Sequence, residues 1–311
     1  MSDIVFVNHS EIQCGVYQHG LRTAQILSKD LRIELLYIEA NSHEEFLNKM
    51  GEFKPDAIIY QWHQSTMPWL TNNIISSIPF KQFIFYQEAT EDIPRHLGVD
   101  GYIMGNMDND PHNDLYSVPR ALVEKKVIKK TKNNIPMIGS FGLATPNKNF
   151  AKMCFRVADE FNEAIINIHL TRANMVSSLA DKMMSDAIDS CVNSLKGKNN
   201  IELRITTDFI SDEGIINFLQ KNDINLFFYD DMSRRGIASA TDYAIGGESV
   251  FGVNDSIMFR HIHNVCPEIN IDKNTIHEII NMGNLPALKM KKMWSNAAMC
   301  DRFIEIISGE S

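Results

Sequence analysis

Apolar runs of strand length alternate with helical-period segments along almost the whole chain, and this alternation restricts the fold more than any other feature of the sequence. A strand followed by a helix returns its next strand in the same direction, so the pattern is that of βα units feeding parallel sheets. In the first half, strands are expected at residues 3–8, 32–38, 56–62 and 82–87, with a short one at 101–105. Helical spacing covers residues 15–28, 42–51 and 67–77. The stretch 120–134 holds Lys125, Lys126, Lys129, Lys130 and Lys132 and is followed by Pro136, after which the rhythm restarts. Further strands are expected at 136–142, 164–170, 201–206, 225–230 and 249–253. The fold class is therefore α/β with two doubly wound, Rossmann-like parallel sheets. The domains are expected at 1–134 and 135–285, with a closing segment 286–311. That segment carries a Met-rich amphipathic helix over 287–307, with Trp294 inside it, expected to pack across or back onto the first domain.

Charge narrows the function. Thirty Lys and Arg face 39 Asp and Glu, a net charge of -9, which is the wrong sign for a protein that gains affinity by neutralising nucleic-acid phosphates. The five cysteines, Cys14, Cys154, Cys191, Cys266 and Cys300, show no C-x-x-C spacing, which fits reduced thiols in a cytoplasmic protein better than a disulfide framework or a zinc site. No apolar run reaches the ~18 residues that span a bilayer, and Asp3 stands where a signal peptide would carry positive charge. The lysine stretch is read mainly as a solvated connector, with peripheral contact to an anionic membrane as a second reading.

In parallel sheets, ligands gather beyond the carboxyl ends of strands, where helix N-termini point their free N–H groups outward. The first such loop has Gly15 and Gly20 at the opening of a helix, without the G-x-G-x-x-G of a dinucleotide site. The second runs through Gly139, Ser140 and Gly142 to Thr145-Pro146, a helix start that places Lys148 in a first turn beside any bound anion. A P-loop is absent. The third leads through Arg234, Arg235, Gly236, Ile237, Ala238 and Ser239 into a helix with Asp242 about one turn inside. It offers cations for a diphosphate and a carboxylate for sugar hydroxyls. Arg172 is a further candidate phosphate contact. Asp230-Asp231 is not the D-x-D of a metal site, so no essential metal and no resident cofactor are expected.

With its two α/β halves, IGSFG…NKNF opening the second, LFFYDD…RGIASATDYAIGGESVFGVNDSIMFRH beyond it and a long terminal helix, the chain resembles glycosyltransferases of the GT-B fold that use sugar nucleotides for bacterial and phage surface polysaccharides. The resemblance is strongest over 136–263. It implies two Rossmann-like domains facing each other across a cleft, with the nucleotide sugar donor mainly on the second and the acceptor mainly on the first. It further implies that residues 139–142 lie near the donor phosphates and that Lys148 stabilises the leaving diphosphate. Arg172 would be a second cation, residues 236–239 would meet the diphosphate or sugar, and Asp242 would match the second Glu of an E-x7-E motif. The first Glu of that motif falls near Arg234.

The expected activity is metal-independent transfer of a sugar, a hexose in the first instance, from a nucleoside diphosphate sugar to a hydroxyl of a glycan, lipid-linked glycan or other acceptor. His63 and Glu88, after two buried strands, would orient or deprotonate the acceptor, with Trp62 and Trp69 stacking on a sugar face. The alternatives are a non-catalytic GT-B scaffold that binds a nucleotide sugar or glycan, and a nucleotide-sugar epimerase.

Overall fold

The computed structural model describes residues 2–12, 14–87, 95–107, 114–125, 133–172, 179–232 and 236–309. The chain divides into two compact units. One comprises residues 1–121, 234–236 and 294–311; the other comprises 122–233 and 237–293.

The first unit runs β1 (Ser2–Asn8), α1 (Gly15–Leu27), β2 (Ile33–Glu39), α2 (His43–Met50), β3 (Ala57–Gln61), α3 (Asn72–Ser77), β4 (Lys81–Tyr86), β5 (Gly101–Gly105) and β6 (Leu115–Val118). Its sheet has the order β2-β1-β3-β4-β5-β6, with every pairing parallel. Strand β1 shows why a continuous apolar run suits such a sheet: Val5 and Val7 enter the core on one face, Ile4 and Phe6 the core on the other. Sequence reasoning missed β6. Its four residues, Leu-Tyr-Ser-Val, form an edge strand that is fully buried only at its two ends.

The second unit runs β7 (Met137–Leu143), α4 (Phe150–Glu160), β8 (Ala164–Thr171), α5 (Ala180–Ser194), β9 (Ile201–Thr206), α6 (Asp212–Lys221), β10 (Ile224–Phe227), α7 (Ala240–Gly246), β11 (Phe251–Val253), α8 (Arg260–Val265), α9 (Ile276–Met282) and α10 (Leu285–Met293). Its sheet, also parallel throughout, has the order β11-β10-β7-β8-β9.

The closing segment is two helices rather than one. After α10, Trp294 and Ser295 interrupt the helix: Ser295 is extended (φ -62°, ψ 157°), and its hydroxyl accepts from Ala298 N at 3.1 Å, capping a new helix, α11 (Asn296–Ser308). Helix α10 belongs to the second unit and α11 to the first. No helix among the described residues is long and apolar enough to cross a membrane.

Candidate functional site

Each sheet reverses its strand order once. In the first unit the reversal lies between β1 and β3, in the second between β7 and β10. Such switch points splay the following loops apart and open a crevice at the carboxyl ends of the strands.

In the second unit, the loops leaving β7 and β10 are tied together. Strand β7 ends through Gly142 (φ +156°) and Leu143, and Thr145 then leads into a 3-10 turn over Pro146–Lys148. Asn149 is left-handed (φ 46°, ψ 38°), so the α-helix starts only at Phe150. Lys148 therefore stands in the turn ahead of α4 and not in its first turn, because Asn149 resets the backbone between them. From β10, Tyr229 N donates to Asn254 Oδ1 at 2.8 Å, and Asn254 Nδ2 donates back to Tyr229 O at 3.0 Å. Asp230 N donates to Asn147 O at 3.0 Å, and Asn149 Nδ2 donates to Asp230 Oδ1 at 2.6 Å. Over this seam the Lys148 ammonium lies 3.5 Å from the centroid of the buried Tyr229 ring. The ring face holds the cation in place, an interaction of about 0.5–2 kcal/mol that depends on its desolvation.

The other candidates in this unit fall in three places. Gly139 and Ser140 lie inside β7 rather than in a loop, and both are buried. A Cβ on Gly139 would sit 1.9 Å from Asn222 Nδ2 and 2.5 Å from Asn225 Oδ1, so this glycine makes room for an asparagine pair. Arg172 forms a two-pronged ion pair with Asp181 of α5, at 2.9 and 3.1 Å, which engages the fork that would otherwise meet a phosphate. Ile237 and Ala238 are buried, with Ala238 N donating to Met258 O at 2.9 Å. Ser239 is exposed and Asp242 is buried in the first turn of α7. That helix begins at Ala240, directly after Ser239, and Gly236 is grouped with the first unit. Arg234 and Arg235 lie outside the described residues, as do Glu88, Lys126, Lys129, Lys130 and Lys132.

The first unit carries a buried polar cluster at its own switch point. Asn8 ends β1 and donates through Nδ2 to Tyr17 O at 3.0 Å and to Tyr37 Oη at 3.1 Å. Tyr17 Oη and Tyr37 Oη donate to Glu39 Oε1 at 2.6 and 3.3 Å, drawing the end of β2 into the same cluster. Helix α1 comes close because Gly20 has no side chain: a Cβ there would lie 2.6 Å from Gln61 Cγ. Gly15 opens α1 facing the Gln87 side chain. One turn on, His19 Nδ1 meets Gln61 Oε1 at 3.3 Å. Burial, reinforced by the nearby Arg120, pushes the His19 pKa down to about 3, so its ring is neutral. His63, beyond β3, is exposed, with Nδ1 2.6 Å from Ser65 Oγ.

Sequence reasoning did not single out His9, Tyr17, His19, Tyr37, Glu39 or Gln61. The available signal was polar residues closing otherwise apolar runs at neighbouring strand ends. Trp62 and Trp69 need correction: Trp62 packs edge-on to Tyr86 and His96 at 5.8 and 5.9 Å, and Trp69 stacks on Phe46 at 6.1 Å. Trp62 is buried within the core, and the half-buried Trp69 packs against it with one face on Phe46.

The fold is that of GT-B glycosyltransferases, with two Rossmann-like parallel-sheet units. A glycosyltransferase from Rickettsia africae superposes with a TM-score of 0.69 at 10% identity, over 99% of this chain and 98% of its own. The N-terminal domain of trehalose-6-phosphate phosphatase from Candida albicans gives 0.66 at 8% identity, over 100% and 97%. Anabaena HepE, solved with UDP and glucose, gives 0.61 at 9% identity, over 99% and 100%. No protein-family model and no curated protein sequence matches the chain.

Proposed function

We propose that this protein transfers a sugar from a nucleoside diphosphate sugar to a hydroxyl acceptor without a metal ion. The observation that carries the reading is the Lys148 ammonium, held over Tyr229 where the loops after β7 and β10 are bonded together at the switch point of the second sheet. In glycosyl transfer the bond from the anomeric carbon to the diphosphate breaks and its electron pair leaves on the phosphate oxygen. The acceptor oxygen bonds to that carbon and passes its proton to the departing diphosphate oxygen. A fixed cation beside the departing diphosphate stabilises the charge as it develops. In this reading Lys148 is that cation. Gly142 and the backbone of Ile237 and Ser239 line the diphosphate, the Ala238 N–H being held by Met258 O. Asp242 accepts from a hydroxyl of a hexose, and Ser140 and Gly139 support the strand beneath. Arg172 contributes only if it releases Asp181.

The test uses purified protein and a panel of nucleotide sugars, starting with UDP-glucose because HepE was solved with UDP and glucose. Slow release of nucleoside diphosphate is the expected result. Binding without release would replace the enzyme with a scaffold, and an isomerised sugar would replace it with an epimerase. In calorimetry, Lys148→Ala is expected to weaken UDP binding by about tenfold, the loss of one charge-assisted contact. Unchanged affinity would remove Lys148 from the site.

A further inference from the structure

His9 and His63 leave β1 and β3, the two neighbouring strands at which the first sheet reverses, and both rings are held in the same way. In each, Nδ1 accepts from the backbone N–H two residues on: Glu11 N at 3.1 Å for His9, Ser65 N at 3.2 Å for His63. The Ser65 hydroxyl lies 2.6 Å from the same nitrogen of His63. A neutral imidazole whose Nδ1 lone pair is occupied carries its proton on Nε2. His9 thus presents Nε2–H, a donor, and His63 does the same when both the amide and the hydroxyl of Ser65 donate to its Nδ1. His9 is 2% exposed, and its Nε2 is buried with no hydrogen-bond partner, whereas His63 is open to solvent. In the parallel register Val7 stands beside Tyr60, so the two histidines follow neighbouring strand ends two residues beyond Val7 and three beyond Tyr60. Burial lowers the His9 pKa more than the neighbouring Glu11 and Glu39 raise it, and His63 lowers it further, so the ring is neutral at pH 7.

We propose that His9 and His63 act as a pair of N–H donors to an oxygen of the hydroxylated substrate at the β1/β3 switch point, and that neither is the base that takes the acceptor proton. The proposal builds on the glycosyl-transfer reading and assigns the chemistry of its first-unit face. To accept a proton at Nε2 while neutral, either ring would have to move its own proton to Nδ1. That would break the bond from the amide two residues on, and in His9 it would leave the Glu11 N–H without its acceptor. A pair of donors instead orients a hydroxyl or phosphate oxygen with no change of protonation.

The tautomers are read directly from long-range proton–nitrogen spectra of the full chain labelled with nitrogen-15 histidine, with His9→Gln and His63→Gln assigning the signals. Both rings are expected as Nε2–H at pH 7.5, with the His9 signals shifting when UDP-glucose or methyl glucoside is added. An Nδ1–H tautomer at either ring, or no shift with both probes, overturns the proposal whether or not the protein turns over. Where UDP-glucose is consumed, glutamine keeps an N–H donor, so each Gln variant should stay within about threefold of the parent. His9→Ala should lose about tenfold or more. The pH profile of His9→Gln should match that of the parent. A Gln variant as poor as Ala that also loses a limb of the profile would make that histidine the base and sink the proposal. Shifted His9 signals without turnover of any nucleotide sugar would overturn the glycosyl-transfer reading and leave the donor pair standing.

Discussion

Buried histidine in the first unit makes stability depend on pH in a defined direction. His19 is enclosed between Gln61, Phe85 and Gly105, its ring 4.9 Å from that of Phe85, and burial with Arg120 nearby holds its pKa at about 3 against an ordinary 6.5. Between those values the unfolded chain binds a proton that the folded chain refuses, so stability rises with pH. It is therefore lost as pH falls from about 6.5 towards 3. His9 and His169, also lowered by burial, add to the same trend. His19→Asn keeps a donor for Gln61 and removes the titration. Urea unfolding from pH 7 to pH 4.5 should show a variant less stable at neutral pH but with a slope shallower by up to about one proton. An unchanged slope would mean that His19 charges freely in the folded protein.

Elements show how far a linear pattern reaches. Strands β1, β3, β4, β7, β8 and β10 were legible because burial on both faces leaves near-continuous apolar runs. The loops worth inspecting were legible too, since parallel strands place them at carboxyl ends. What each side chain does there was not, because the partner lies elsewhere in the chain: Arg172 is claimed by Asp181, Trp62 by Tyr86 and His96, and Gly139 by two asparagines. Gly139 faces a hydrogen-bonded chain in which Asn167 donates to Asn222 at 2.9 Å and Asn222 to Asn225 at 2.8 Å. Asn225 in turn donates to Leu219 O and Val250 O, each at 3.1 Å. A methyl group at position 139 must break this chain, and Gly139→Ala should cost about 2–4 kcal/mol through overpacking and orphaned amides. Asn222→Ala clears the space at its own cost. The double variant should therefore be more stable than the two separate losses sum to, and strict additivity in a thermal or urea cycle would remove the contact as the cause.

At the scale of the whole molecule, the first unit is assembled from both ends of the chain, and α11 is part of its core rather than an appendage. Met299, Cys300, Phe303, Ile306 and Ile307 enter the same cluster as Ile4, Phe6, Leu27, Phe83, Phe85 and Ile103. The Phe303 ring meets Phe85 edge-on at 5.4 Å. Around that contact Lys81 Nζ donates to Ile307 O at 3.0 Å, Arg302 Nε donates to Ser117 O at 3.3 Å, and Arg32 pairs with Asp301 at 2.7 Å. The exposed ion pair adds little, so the apolar face carries most of the docking energy. The sheet's second face is then complete only after residue 307 has been made, however early its strands are synthesised. Phe303→Ala should destabilise the first unit by about 3–5 kcal/mol, the range for removing a fully buried aromatic ring. Hydrogen exchange read by peptide should show protection falling across β1, β3, β4 and β5 while β7, β8 and β10 keep theirs, because Phe303 belongs to the first unit's core. Equal loss in both sheets would mean that the two units unfold as one and that α11 stabilises the molecule as a whole.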